Sequence, residues 1–172
     1  MNRIINARRL VAGSLAAASF GLAAPALAQS SPQQSNLTVS ATVTANCSLS
    51  TSPVEFGDIN TISGSSIDAA GGITVTCTGG TAWTASAGAG SGSGATLLSR
   101  RMTSGSNTLN YMLYTNSGRT TIWGDGTGTT GRITGTGSGS SQAITVYGRI
   151  PSGQGSVPAG IYGDTVQVTL SY

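Results

Sequence analysis

Along much of this chain apolar and polar residues alternate one by one. In "GITVTCT" (72–78), Ile73, Val75 and Cys77 alternate with Thr74 and Thr76. That is the period-two pattern of a strand with one face on a core and one in water, and it turns Cys77 inward. Comparable runs occur at "TAWTAS" (81–86), "TLNYMLYT" (108–115), "QAITVYGRI" (142–150) and "DTVQVTLSY" (164–172), with shorter candidates at "CSLS", "VEF" and "TLLSRRM". Gly, Ser, Thr and Asn fill the gaps, and no stretch beyond the leader carries a helical apolar period. Seven or so short strands in about 130 residues predict an all-β sandwich.

Two of these patterns lie at the ends. Val166, Val168, Leu170 and Tyr172 share one face of the last run, with Thr165, Gln167, Thr169 and Ser171 on the other. A strand in that place needs a neighbour on each side, from elsewhere in the chain or from another chain. Near the start, after the polar "QSSPQQS", "NLTVSATVTA" sets Leu37, Val39, Ala41 and Val43 opposite Thr38, Ser40, Thr42 and Thr44. It reads as a second amphipathic strand. It serves either as the first edge strand of its own sandwich or as a strand added to a partner's sheet.

The opening "MNRIINARRLVAGSLAAASFGLAAPALAQS" has Arg3, Arg8 and Arg9, an apolar run from Leu10 to Leu22, and then "APALA". This is the layout of a secretory signal peptide, residues 1–28, with cleavage expected after Ala28. The Arg8-Arg9 pair suggests twin-Arg export only as a minor reading. The run is too short and too rich in Ala and Gly for an anchor, so no transmembrane segment is expected in the mature chain.

Removing the leader changes the charge. The whole chain carries +3 from eight Arg and five acidic residues, but three Arg leave with the leader, so five of each remain. Without a basic patch or an aromatic ladder interleaved with Arg, nucleic acid is not an expected partner. The chain has no His and no Lys. The usual general base, metal imidazole, Schiff-base amine and P-loop lysine are therefore absent. Glu55, Asp58, Asp68, Asp125 and Asp164 are scattered through different segments, a poor source for a glycosidase pair. "GTGTTG" (126–131) has the spacing of a dinucleotide loop but neither the strand before it nor the helix after it. "WGDG" (123–126) offers one carboxylate and reads as a tight turn beside a half-buried Trp123 rather than a calcium loop. No catalytic residue, metal site or cofactor is expected, and the chain does not read as an enzyme.

Cys47 and Cys77 are the only cysteines. In an exported chain an even pair reads as a disulfide, and without C-x-x-C spacing a redox role is not indicated.

Several stretches together resemble one family. "TVSATVTANCSLS", "FGDI", "GGITVTCTGG", "LNYMLYTNSGRTTIWGDGTG", "VYGRIP" and "AGIYGDTVQVTLSY" are similar, in order and spacing, to the spore coat protein U domain of archaic chaperone-usher pilus subunits, from about Leu37 to Tyr172. The resemblance implies an immunoglobulin-like β-sandwich that lacks its last strand. It further implies a periplasmic chaperone that lends a strand, an outer-membrane usher, and polymerisation when one subunit's N-terminal extension fills the groove of the next. On that reading residues 29–44 are the extension, with Leu37, Val39, Ala41 and Val43 as the donor strand. Residues 45–172 are the pilin domain, with Val166, Val168, Leu170 and Tyr172 at the edge of the acceptor groove. The product would be a surface pilus or coat, reached through the periplasm. The alternative is a secreted β-sandwich binding module, for example for carbohydrate, with Trp83, Trp123 and the Tyr residues as an aromatic platform.

Overall fold

The computed structural model describes residues 30–172; the expected signal peptide lies outside the described residues. The chain divides into a unit ending at Ser40 and a second unit, Ala41–Tyr172. Residues 30–40 of the first unit are exposed and belong to no helix or strand.

Among the described residues there are eight strands and no helix: β1 (Cys47–Ser52), β2 (Ile67–Cys77), β3 (Ala82–Ala87), β4 (Arg100–Ser104), β5 (Asn107–Tyr114), β6 (Ile133–Thr136), β7 (Ser141–Ile150) and β8 (Val168–Ser171). They form a five-stranded sheet in the order β1-β2-β7-β5-β4 and a three-stranded sheet in the order β6-β3-β8. Every pairing between named strands is antiparallel. Alternate residues of each strand meet in one core: Ile73 and Val75 of β2, Leu109, Tyr111 and Leu113 of β5, Val146 and Ile150 of β7, and Trp83, Ala85 and Ala87 of β3. The all-β sandwich predicted from the alternation is the fold observed.

The disulfide joins Cys47 to Cys77, which stand directly opposite each other in the β1–β2 register. It fastens the edge strand β1 to its neighbour.

Several expectations need correction. "VEF" forms no strand: Val54 and Phe56 are half-buried in an irregular segment packed on the core. They fit because the inward positions opposite them are glycines. A Cβ on Gly148 would lie 2.6 Å from Val54 and 2.8 Å from Phe56, and one on Gly71 would strike the Pro53 carbonyl. β2 begins five residues earlier than its apolar alternation, because the small residues of "IDAAGG" still pair with β7. The Gly-rich "RITGTGSGSS" (132–141), which carries no apolar alternation, contains β6, paired with β3, and Gly135 leaves room for the Trp83 ring that any side chain there would hit. Trp123 is fully buried rather than half-buried, its indole N–H donating to the Ala85 carbonyl at 3.0 Å. Residues 36–44 lie in no strand.

Candidate functional site

Burial is not even across the two sheets. The inward residues of β2, β3, β5 and β7 near mid-sandwich are almost fully buried, whereas Cys47 and Leu49 of β1 and Val168 and Leu170 of β8 are only half-buried. Both strands are edges of their sheets: β1 pairs only with β2, and β8 only with β3. Among the described residues no strand lies on the outer side of either. The core is thus open along the seam between β1 and β8, where backbone N–H and C=O groups of both strands lack ladder partners.

A cleft of about 370 Å³ follows this seam. Thr51 and Ser52 of β1, with Val54 and Phe56 of the following segment, make one wall, and Val166 and Val168 make the other. Its floor is the core itself, with Ile73, Tyr111, Leu113, Trp123 and Val146. Its lining is mostly apolar. It fits an extended, apolar strand better than a charged ligand, because an unpaired charge placed there would lose its hydration without a counter-charge.

Polar side chains hold the cleft's walls in place. Asp164 sits just before β8. Its Oδ2 accepts the Tyr111 hydroxyl at 2.6 Å, and its Oδ1 accepts the Ser91 amide, the Ser91 hydroxyl and the Thr165 amide, each at 2.7 Å. Burial alone would raise the Asp164 pKa, but these hydrogen bonds outweigh it and hold the carboxyl below its ordinary value. Tyr111 is raised from its ordinary value, first by burial and then by its bond to the Asp164 carboxylate.

Arg100, with none of its surface exposed, donates to the Trp123 carbonyl at 2.7 Å, the Gly88 carbonyl at 2.9 Å and the Leu97 carbonyl at 3.2 Å. It ties Trp123, on the cleft floor, to the loop after β3. Burial lowers its pKa from the ordinary guanidinium value, and nearby Tyr111 and Asp164 oppose that shift.

Of the expected groove-edge residues, Val166, Val168 and Leu170 are half-buried and packed on the core, while Tyr172 is 60% exposed. β8 is shorter than the nine-residue run read from the alternation. Asp164 turns its carboxylate to Tyr111 and Ser91, and Gly163 pairs with Thr103 instead, so the backbone there is already engaged. Of the expected donor residues, Leu37, Val39 and Val43 are 87%, 84% and 83% exposed. The cleft also uses residues that the alternation does not place at a groove: Val54 and Phe56, whose "VEF" reads as a short strand, Asp164, which opens the last run, and Tyr162, which lies outside every alternating run.

Trp83 and Trp123 are 4% and 2% exposed, so neither stands on an outer aromatic platform. Of the five carboxylates, Asp68 pairs with Arg149 at 2.7 Å and with Arg119 at 3.2 Å, on the outer face of β2 and β7. Its pKa is lowered chiefly by the Arg149 hydrogen bond. No group of three His, Cys, Asp or Glu residues stands together as a metal site among the described residues.

Residues 33–169 match the Spore Coat Protein U domain, and the chain belongs to that family. Protein U of Myxococcus xanthus is 39% identical over 83 residues, which are 47% of this chain and 45% of that protein. The fold is similar, with a TM-score of 0.55 and 22% identity, to a chain in the crystal structure of the CsuC–CsuE chaperone-tip adhesion subunit pre-assembly complex from archaic chaperone-usher Csu pili of Acinetobacter baumannii. That likeness covers 76% of this chain and 40% of the other. The matched parts are less than half the length of either relative.

Proposed function

We propose that the chain is a structural subunit of a secreted surface pilus or coat, assembled by donor-strand exchange. Residues 1–28 direct export. Residues 29–44 are an extension whose Leu37, Val39, Ala41 and Val43 enter the β1–β8 cleft of another copy or a related subunit, and residues 45–172 are the acceptor domain. A periplasmic chaperone covers the cleft before assembly, and an outer-membrane usher hands one subunit to the next. The subunit would be catalytically inert.

The observation that carries this reading is complementarity. A cleft opens between two strand edges that have no described neighbour, and the same chain holds a stretch in which apolar residues alternate with polar ones and Leu37, Val39 and Val43 are exposed. Transfer of Leu37, Val39 and Val43 into the cleft contributes roughly 5 to 9 kcal/mol as an upper bound, before ordering costs. Ladder hydrogen bonds to β8 add to this.

The test follows from the period of a strand, which shows a partner only alternate side chains. Val39→Asp and Val43→Asp place an unpaired charge in an apolar cleft and are expected to abolish the ladder of multimers in mild-detergent extracts of cells. Thr38→Asp and Thr42→Asp, on the other face, are expected to leave it. Normal ladders from both Val variants would overturn the proposal.

A further inference from the structure

The two ends of the sandwich differ in a way that bears on how copies meet. At the upper end β1 begins, β2 finishes and β8 finishes. There Thr78 grips the residues that precede β1. Its amide donates to the Asn46 carbonyl at 2.9 Å, its hydroxyl accepts the Asn46 amide at 3.1 Å, and the same hydroxyl reaches the Thr44 carbonyl at 3.5 Å. Val43 is thus followed at once by backbone fastened to the domain. The turn beside it, residues 78–81, and the loop 137–140 present mostly Gly, Ser and Thr.

At the lower end the segment after β1 and the segment after β7 face each other across a cleft of about 500 Å³. Leu109, Ile59, Val157 and Tyr162 line it. Ile62, also in the lining, is 78% exposed, and Ile161, between the lining residues Gly160 and Tyr162, is 95% exposed. The cleft's lining is mixed, with Asp58, Asn60 and Thr61 beside these apolar residues, but two branched aliphatic side chains so exposed at one cleft mark a contact surface more than two scattered surface residues would.

A strand joining the free edge of β8 in the antiparallel sense of every named pairing runs from the upper end to the lower end. Its C-terminal residues then leave the acceptor at the lower end. Extended backbone advances about 3.3 Å per residue, so the few residues between Val43 and Cys47 span only about 10 Å. The incoming copy has no slack with which to stand off. We infer that the lower-end surface around Ile62 and Ile161 is a second contact between successive copies, receiving the upper end of the copy whose extension fills the neighbouring β1–β8 cleft. This inference rests on the donor-strand reading above. The small residues of the 78–81 turn and the 137–140 loop let that end approach closely, and the contact sets the angle between copies, which a lone inserted strand leaves free.

Cysteine pairs test it in fibres sheared from cells. Gly79 is exposed, has φ compatible with any residue and has open space at its Cβ position, so Gly79→Cys is tolerated. Gly79→Cys combined with Ile161→Cys is expected to give dimers with a short bismaleimide linker. Gly79→Cys with Thr145→Cys, on the exposed face of β7, is expected to give none. Adding Val39→Asp is expected to abolish both the fibres and the link. If the multimer ladder forms and depends on Val39 but the Gly79/Ile161 pair does not link, the second contact is refuted while donor-strand assembly stands. Linkage by Gly79→Cys alone would mean that upper ends meet each other, which also refutes it. A ladder indifferent to Val39→Asp removes the donor-strand reading and this inference with it.

Discussion

The Tyr111 hydroxyl donates to the Asp164 carboxylate across 2.6 Å, tying β5 in the larger sheet to the segment that leads into β8 in the smaller one. Both residues line the β1–β8 cleft, so the bond fixes one wall of the site against its floor. Tyr111→Phe keeps the ring and removes only this bond. It is expected to cost about 1 kcal/mol, less than the roughly 1.5 to 3 kcal/mol of a buried bond to a charged group, because Asp164 is partly exposed. A lowered urea midpoint with an unchanged m-value checks it.

The same carboxylate makes stability fall in acid. Its folded pKa is depressed, so the folded state favours the ionised form. Its contribution is complete above the unfolded carboxylate value of about 3.9 and is lost as pH falls through the lower folded value. Asp164→Asn is expected to flatten the decline of stability below about pH 4 relative to the unaltered chain. Parallel acid-denaturation curves for the two proteins would contradict this.

The disulfide holds an edge strand that has a partner on one side only. Closing a loop of 30 residues contributes about 3 to 4 kcal/mol on the chain-entropy account. Cys77→Ser also leaves a hydroxyl in a position that is 2% exposed. The expected result is a sharply reduced yield of exported protein, and the unaltered chain is expected to show no free thiols before reduction.

β8 offers a face test independent of the extension. Leu170 is half-buried and packed on the core beside the free edge, while Thr169 is exposed on the opposite face. On the donor-strand reading proposed above, Leu170→Asp is expected to abolish recovery of the protein with a co-expressed periplasmic chaperone, and Thr169→Asp to preserve it. Co-purification yields distinguish them; equal losses would mean that the strand is not one-faced.

Gly148 and Phe56 form a size-matched pair. A Cβ at 148 would lie 2.8 Å from the Phe56 ring, so Gly148→Ala is expected to destabilise by about 1 to 3 kcal/mol through overpacking. Phe56→Leu in the same chain shortens the intruding side chain and is expected to restore part of that loss. Thermal midpoints of the single and double variants measure the coupling.

What the sequence determined is what local period can encode. Alternation at Ile73, Val75 and Cys77, and at Leu109, Tyr111 and Leu113, names the buried face of a strand, because side chains on a pleated backbone point to opposite sides in turn. The even cysteine pair, the charge inventory and the resemblance to the spore coat protein U domain were legible in the same way, from residue identity and order. Period does not say which strand lies alongside, and that tertiary fact creates the cleft. It exists because β1 and β8 are edges of different sheets with no described strand beyond them. Val54 and Phe56 enter the core only because Gly71 and Gly148, distant in sequence, leave space there. The Gly-rich β6 is a strand because β3 pairs with it and Trp83 fills the space over Gly135. Arg100 is buried because carbonyls from three separate segments converge on its guanidinium, and Asp164 is held at the start of the last apolar run because Tyr111 donates to one of its carboxylate oxygens and Ser91 to the other. Each of these depends on groups far apart in the chain meeting in space, which no local pattern records.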